Sequence, residues 1–126
     1  VYQTEASSVT LGEKQRLFSR LLPRLLDRAH ELGFEVALGQ AERSLEEQMR
    51  LNRAGLSQIR NPANGAHVRR LAIDLYLYRA GTYLVASEHY APLGEWWETV
   101  HPLCAWGGRF SRPDGNHFSL THEGVR

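Results

Sequence analysis

A chain of 126 residues can bury one modest core but not two, and its 42% hydrophobic and 23% charged residues are ordinary for a soluble globular domain. A net charge of +1 without any basic run gives no sign of a nucleic-acid partner. Cys104 is the lone cysteine, which excludes an intrachain disulfide and a cysteine-held metal, so His and carboxylates would have to hold any ion.

The longest apolar stretches fall well short of the roughly 20 residues that a spanning helix needs, and the N-terminus lacks a basic-then-apolar signal pattern. The expectation is a monomer without membrane insertion. Residues 1–8 do not begin with Met and read as a trimmed or foreign end outside the fold.

Thr10-Leu-Gly-Glu13 has the form of a capping box. Leu17, Phe18, Leu21, Leu22, Leu25, Leu26, Ala29 and Leu32 follow at helical spacing. This predicts a long amphipathic helix, with Pro23 kinking or splitting it, Gly33 stopping it and His30 facing solvent near its end. Phe34, Val36 and Leu38 alternate with Glu35 and Ala37 as a short strand. Ser44-Leu-Glu-Glu47 is a second capping box, opening a helix that runs to about Ala54, before Gly55.

Residues 55–66 are rich in turn formers and lead to the stretch His67-Val-Arg-Arg-Leu-Ala-Ile-Asp-Leu-Tyr-Leu-Tyr78. Here Leu71, Ile73, Leu75 and Leu77 take one face of a strand; Ala72, Asp74, Tyr76 and Tyr78 take the other. A hairpin through Ala80-Gly81 predicts a partner strand over residues 83–86. Pro92 starts a helix whose stripe is Leu93, Trp96, Trp97, Val100 and Leu103, with Cys104 assigned to the same buried face. Residues 105–115 read as loop and residues 116–120 as a last strand, with His117 and Ser119 opposite Phe118 and Leu120. The order of elements predicts an α+β domain with a small antiparallel sheet.

Asp74 lies mid-strand, where an ionised carboxylate needs solvent, a hydrogen-bonding partner, a cation or a metal. His67, Asp74 and His117 are suitable types for three-ligand zinc with one position left to water. The odd separation of His67 and Asp74 requires the chain to turn near residues 68–70 if both bind one ion. Asp114, three residues before His117, is the candidate general base; Arg43 could stabilise an oxyanion or hold a carboxylate, and Gln48 could orient a peptide. Plainer readings stand beside these: Asp114 as a turn residue, Arg43 and Gln48 as a solvated helix face, Trp106 as core, and His89, His101 or His122 as members of a rival site.

The ordered set Arg43-Ser44-x-x-x-Gln48, Gly55, His67-x6-Asp74-Leu75, Trp106-Gly107-Gly108 and Asp114-x-x-His117-Phe118 resembles the zinc D-Ala-D-Ala carboxypeptidase and L-alanyl-D-glutamate peptidase superfamily, particularly its compact phage endolysins. The resemblance spans roughly residues 36–120. It implies a hedgehog-like metallopeptidase fold over residues 1–126 as a single catalytic domain, with Zn2+ on His67, Asp74 and His117. Asp114 would be the acid/base, Arg43 a contact to substrate or transition state, and Gln48 and Trp106 substrate neighbours. The implied activity is attack of zinc-bound water on the peptide stem of peptidoglycan, at the L-alanyl-D-glutamate bond. Alternatives are a D,D-carboxypeptidase or dipeptidase of the same fold, or a zinc-stabilised wall-binding domain without turnover. An endolysin of this kind would accumulate in the host cytoplasm before reaching the cell wall or periplasm. The sequence departs from the family at Gly65, where Ser is frequent, and at Asp114, where Glu is frequent.

Overall fold

The computed structural model describes residues 9–57, 59 and 61–126. Residues 1–8, read above as a trimmed end, lie outside the described residues. The fold is α+β: a mixed-length antiparallel sheet, with two helices against its inner face and the candidate ligands on its outer face.

Helix α1 (Leu11–Glu31) opens on the complete capping box, with Glu13 N–H donating to Thr10 Oγ1 at 3.2 Å and Thr10 N–H to Glu13 Oε1 at 3.1 Å. It is one uninterrupted helix, so the split expected at Pro23 does not occur. Pro23 lies on the exposed face, where water can satisfy the carbonyl it leaves unpaired, while Leu21, Leu25 and Ala29 stay in one core. Gly33, at φ +88°, ends the helix, and Phe34 N–H returns to Ala29 O at 3.0 Å.

Strand β1 (Glu35–Leu38) pairs antiparallel with the central strand β2 (Ala72–Arg79), Val36 opposite Leu77. Between them lies α2 (Leu45–Arg53), of whose predicted capping box only half forms. Glu47 N–H donates to Ser44 Oγ at 3.0 Å, but the Glu47 carboxylate turns instead to Arg50, at 2.8 Å. The hairpin after β2 is tighter than expected: Ala80 and Gly81 have φ of 50° and 78°, and β3 is only Thr82–Tyr83.

Helix α3 (Ala91–Val100) packs Leu93 and Trp97 into the core. Cys104, assigned above to the helical face, instead opens strand β4 (Cys104–Trp106), within what was read mostly as loop. Three residues are too few to display a period; pairing with β5 (His117–Leu120) fixes this strand, Trp106 standing opposite Phe118. Burial pushes the Cys104 thiol up to about 12, which makes it an inert packing group.

The sheet order is β1-β2-β5-β4, with β3 added alongside β2. Its inner face, with Ile73, Leu75, Leu77, Phe118 and Leu120, buries against Phe18, Leu21 and Leu25 of α1 and Trp97 of α3. Leu75 has no exposed surface, so Leu75→Ala would cost about 2–5 kcal/mol in lost burial and cavity. Among the described residues no helix is long and apolar enough to cross a membrane.

Candidate metal centre

His67 sits outside the sheet, in a turn over residues 66–70. Leu71 N–H donates to Ala66 O at 2.8 Å and Arg70 N–H to His67 O at 3.1 Å, with Arg70 forced to φ 58°. This reversal is the turn that the odd spacing requires: it removes His67 from the alternation of β2 and brings it to the face that carries Asp74. Asp74 and His117 are directly opposite one another on β2 and β5. Opposite residues on paired strands share a face, so the ladder brings these two together.

His67 Nε2 lies 3.2 Å and His117 Nδ1 3.8 Å from Asp74 Oδ1, and the imidazole centroids are 5.1 Å apart. One ligand atom from each residue falls within 4.8 Å of the others. His67 Nδ1 is 3.1 Å from the carbonyl of Ala41, which can only accept, so the ring places its hydrogen there and can turn a lone pair on Nε2 toward Asp74. Two electron pairs facing each other at this distance call for a proton or a cation between them. Asp74 Oδ1 and His117 Nε2 are buried without a hydrogen-bond partner. His117 is pushed down to about 3, chiefly by burial and then by His67, against the pull of Asp74, and is therefore neutral near pH 7. Two imidazoles around a carboxylate, one of them oriented by the Ala41 carbonyl, fit a divalent metal such as zinc.

The cluster borders a cavity of about 600 Å3 lined by residues from α2, the loop before His67, the loop before His117 and the C-terminal segment. Asp114, Arg43 and Gln48 all line it. Asp114 is exposed to solvent at the cavity edge, yet surrounding protein raises its pKa above 3.8 through burial first and the Asp74 charge second; His67 and Arg43 act the other way. Its backbone is pinned on both sides, Asp114 N–H to Gly107 O at 2.9 Å and His117 N–H to Asp114 O at 3.1 Å.

Arg43 donates from Nη1 to Gln48 Oε1 at 2.7 Å and from Nε to Gln40 Oε1 at 2.8 Å. Gln48 is buried, and its Nε2 donates to Asn52 Oδ1 and Ser57 Oγ, each at 2.8 Å. With both amide hydrogens engaged inside the protein, Gln48 holds Arg43 and the loop rather than offering donors to a ligand. A Cβ on Gly65 would come within 3.3 Å of Gln48 Oε1, so glycine at this position leaves that oxygen room to receive Arg43.

Trp106, named above as a substrate neighbour, is corrected to a core residue. It is 5% exposed, does not line the cavity, and donates from Nε1 to Gly115 O at 2.6 Å. The register with Phe118 turns its ring inward, between Gly94 and Gly108, where a Cβ would lie 2.1 and 2.3 Å from it. Among the described residues His67, Asp74 and His117 are the only cluster of this kind. His101 instead accepts from Leu103 N–H at 3.1 Å, and His122 contacts Lys14 Nζ at 3.0 Å. The residues missed in the sequence are Ala41, which acts through a backbone carbonyl, and Phe110, Arg112 and Arg126, which line the cavity without any motif to mark them.

No family profile and no curated protein matches the chain. Among solved structures, the L-Ala D-Glu endopeptidase ChiX of Serratia marcescens matches with a TM-score of 0.62 at 24% identity. The match covers 96% of this chain and 90% of that one. The two chains share a fold.

Proposed function

We propose that this protein is a zinc-dependent peptidoglycan hydrolase that cuts the stem peptide at the L-Ala–D-Glu bond. The observation that carries the reading is the convergence of His67, Asp74 and His117 at the wall of an open cavity. The fold shared with an L-Ala D-Glu endopeptidase supports the choice of bond.

His67, Asp74 and His117 would hold the ion. When bound, zinc supplies a Lewis acid and lowers the pKa of a water toward roughly 7. The chain's own residues do the rest. Asp114, at the edge of the cavity, accepts the proton of the attacking water on its carboxylate and returns it to the departing amine nitrogen. Arg43 has donors beyond those given to Gln40 and Gln48, and these can meet the negative charge that develops on the carbonyl oxygen. Gln48 and Ala41 position Arg43 and His67 respectively.

The test is digestion of purified muropeptides with the zinc-loaded protein, read by mass spectrometry. Release of stems beginning at D-Glu, with L-Ala left on the sugar, is the expected product. Loss of terminal D-Ala alone would assign a D,D-carboxypeptidase instead. Activity within a phage lysis programme, as an endolysin, is consistent with this chemistry and would be read from lysis of intact cells once the inner membrane is opened.

A further inference from the structure

Beyond the metal cluster, the cavity has a marked charge imbalance. Among the described residues that line it, Arg43, Arg112 and Arg126 bring three guanidiniums and Asp114 the one carboxylate. Several arginines elsewhere are tied to carboxylates, such as Arg50 to Glu47 and Arg109 to Glu98, and others stand alone; what sets Arg112 and Arg126 apart is their place on the cavity wall. Arg112 and Arg126 have no carboxylate partner among the described residues. Arg112 makes only long contacts of 3.4 and 3.5 Å to the carbonyl of Gly55, across the cavity mouth. Arg126 lies 4.9 Å above the ring of Phe110, whose centroid is 5.2 Å from that of His117.

The segment leading to Arg126 is also held in place. His122 and Val125 form a two-residue bridge around Glu123 and Gly124, at φ 51° and 78°, and Arg69 fixes Glu123 at 3.0 Å. This tight turn directs the chain back across the loop containing Phe110. The guanidiniums of Arg112, on long contacts to the Gly55 carbonyl that a carboxylate could replace, and of Arg126, over the Phe110 ring, therefore stand without an anionic partner on the wall of the cavity that the metal cluster faces.

The L-Ala–D-Glu linkage puts a matching anion beside the reacting bond. The D-Glu α-carbon bears both the scissile nitrogen and the α-carboxyl group, because the stem continues through the γ-carboxyl. That α-carboxyl is an anion in one form of the stem and a neutral carboxamide in the amidated form. We infer that Arg112 and Arg126 form a carboxylate-recognising wall that selects stems with a free D-Glu α-carboxylate over stems in which it is amidated. The inference rests on the hydrolase reading for its substrate, but not for its measurement.

Two peptides of the sequence L-Ala-D-Glu-L-Lys, joined through the D-Glu γ-carboxyl, test it: one with the free α-carboxylate, the other with the α-carboxamide. With zinc-loaded protein, kcat/KM for the acid should exceed that for the amide by about tenfold or more, the scale of one charge-assisted hydrogen bond. In R112Q and R126Q this ratio should shrink, and in the double variant it should approach one, mainly through KM. Both side chains are exposed, so unchanged thermal melting is expected and will confirm that folding is intact. A wild-type ratio near one, or a ratio that survives in the double variant, overturns the inference. Calorimetric titration of zinc-loaded Asp114→Asn protein with the same peptides gives the Kd ratio without turnover. If the wild-type protein cleaves neither peptide, the hydrolase reading fails, while that Kd ratio still decides for or against the arginine wall.

Discussion

Asp74 and His117 face each other across the β2–β5 ladder, so the register of two short strands sets the geometry of the candidate site. A slip of one residue would send either side chain into the core. Ile73 and Phe118, the next opposed pair, are buried at 3% and 0% exposure and hold that register by packing. The apolar inner face thus aligns the polar outer one, and His67 is added from a separate turn anchored on Ala41.

Replacing either histidine removes a proposed ligand without touching the inner core. His67→Ala and His117→Ala should each lower zinc content and cut activity by more than about 100-fold, beyond what loss of an outer-shell partner usually costs. Circular dichroism should keep its helical signal, since α1 and α3 pack on the opposite face. Full metal occupancy in both variants, measured by elemental analysis, would refute the ligand assignment.

Asp114→Asn keeps the shape of the side chain and removes its basicity. The expected result is a fall in kcat of about 10²–10⁴ with zinc content unchanged. Unchanged wall affinity with no turnover in either the intact protein or this variant would favour a binding domain over an enzyme.

Much of this site was legible because its residues obey local rules. Asp74 interrupts an alternating strand at a place where a carboxylate needs a partner, and the parity of His67 and Asp74 requires a turn before β2 if the two are to share an ion. Trp106 was misplaced because a residue beside two glycines carries no sign of which way its strand will pair. Strand β4 was missed for the same reason: its stability comes from β5, a dozen residues on, rather than from any pattern of its own. Pro23 failed as a helix breaker because its cost depends on whether the orphaned carbonyl faces water, which the sequence around it does not state.

The metal-free protein should lose stability in mild acid. His117 falls from an ordinary 6.5 to about 3 on folding, mainly through burial. Below pH 6.5 the unfolded chain binds a proton there that the folded chain excludes, so stability is full above 6.5 and declines as pH drops toward 3. Asp114 contributes the opposite slope over a window beginning at 3.8, since folding raises its pKa. Thermal melting in chelator should therefore show a lower Tm at pH 5 than at pH 7, with the drop reduced in His117→Ala. An identical Tm at both pH values in the wild-type protein would remove the burial argument.

Gln48 joins Arg43 to Asn52 and Ser57, so its loss acts on both the site and the fold. Gln48→Leu leaves part-buried partners unsatisfied and should destabilise by about 1–3 kcal/mol. With Arg43 released, kcat should drop while zinc content holds. Retained kcat in a folded Gln48→Leu protein would show that Arg43 needs no such anchor.

Gly107 gives the sharpest test of how the site is assembled. A Cβ at this position would lie 2.1 Å from the Asp114 carbonyl oxygen and 2.8 Å from His117 Cβ. Both distances are impossible contacts, and the first is with backbone, which cannot rotate away. Gly107→Ala must therefore push the 107–114 loop outward, moving the candidate base and one ligand together while leaving α1 and its packing on the sheet in place. Displacements of about 1 Å at such a site can cost on the order of 10²-fold in rate. The expected outcome is a folded protein with weakened zinc affinity and at least that loss of kcat. Near-normal turnover in Gly107→Ala would mean that the loop tolerates the shift, and that Asp114 does not depend on the approach of Gly107 for its place.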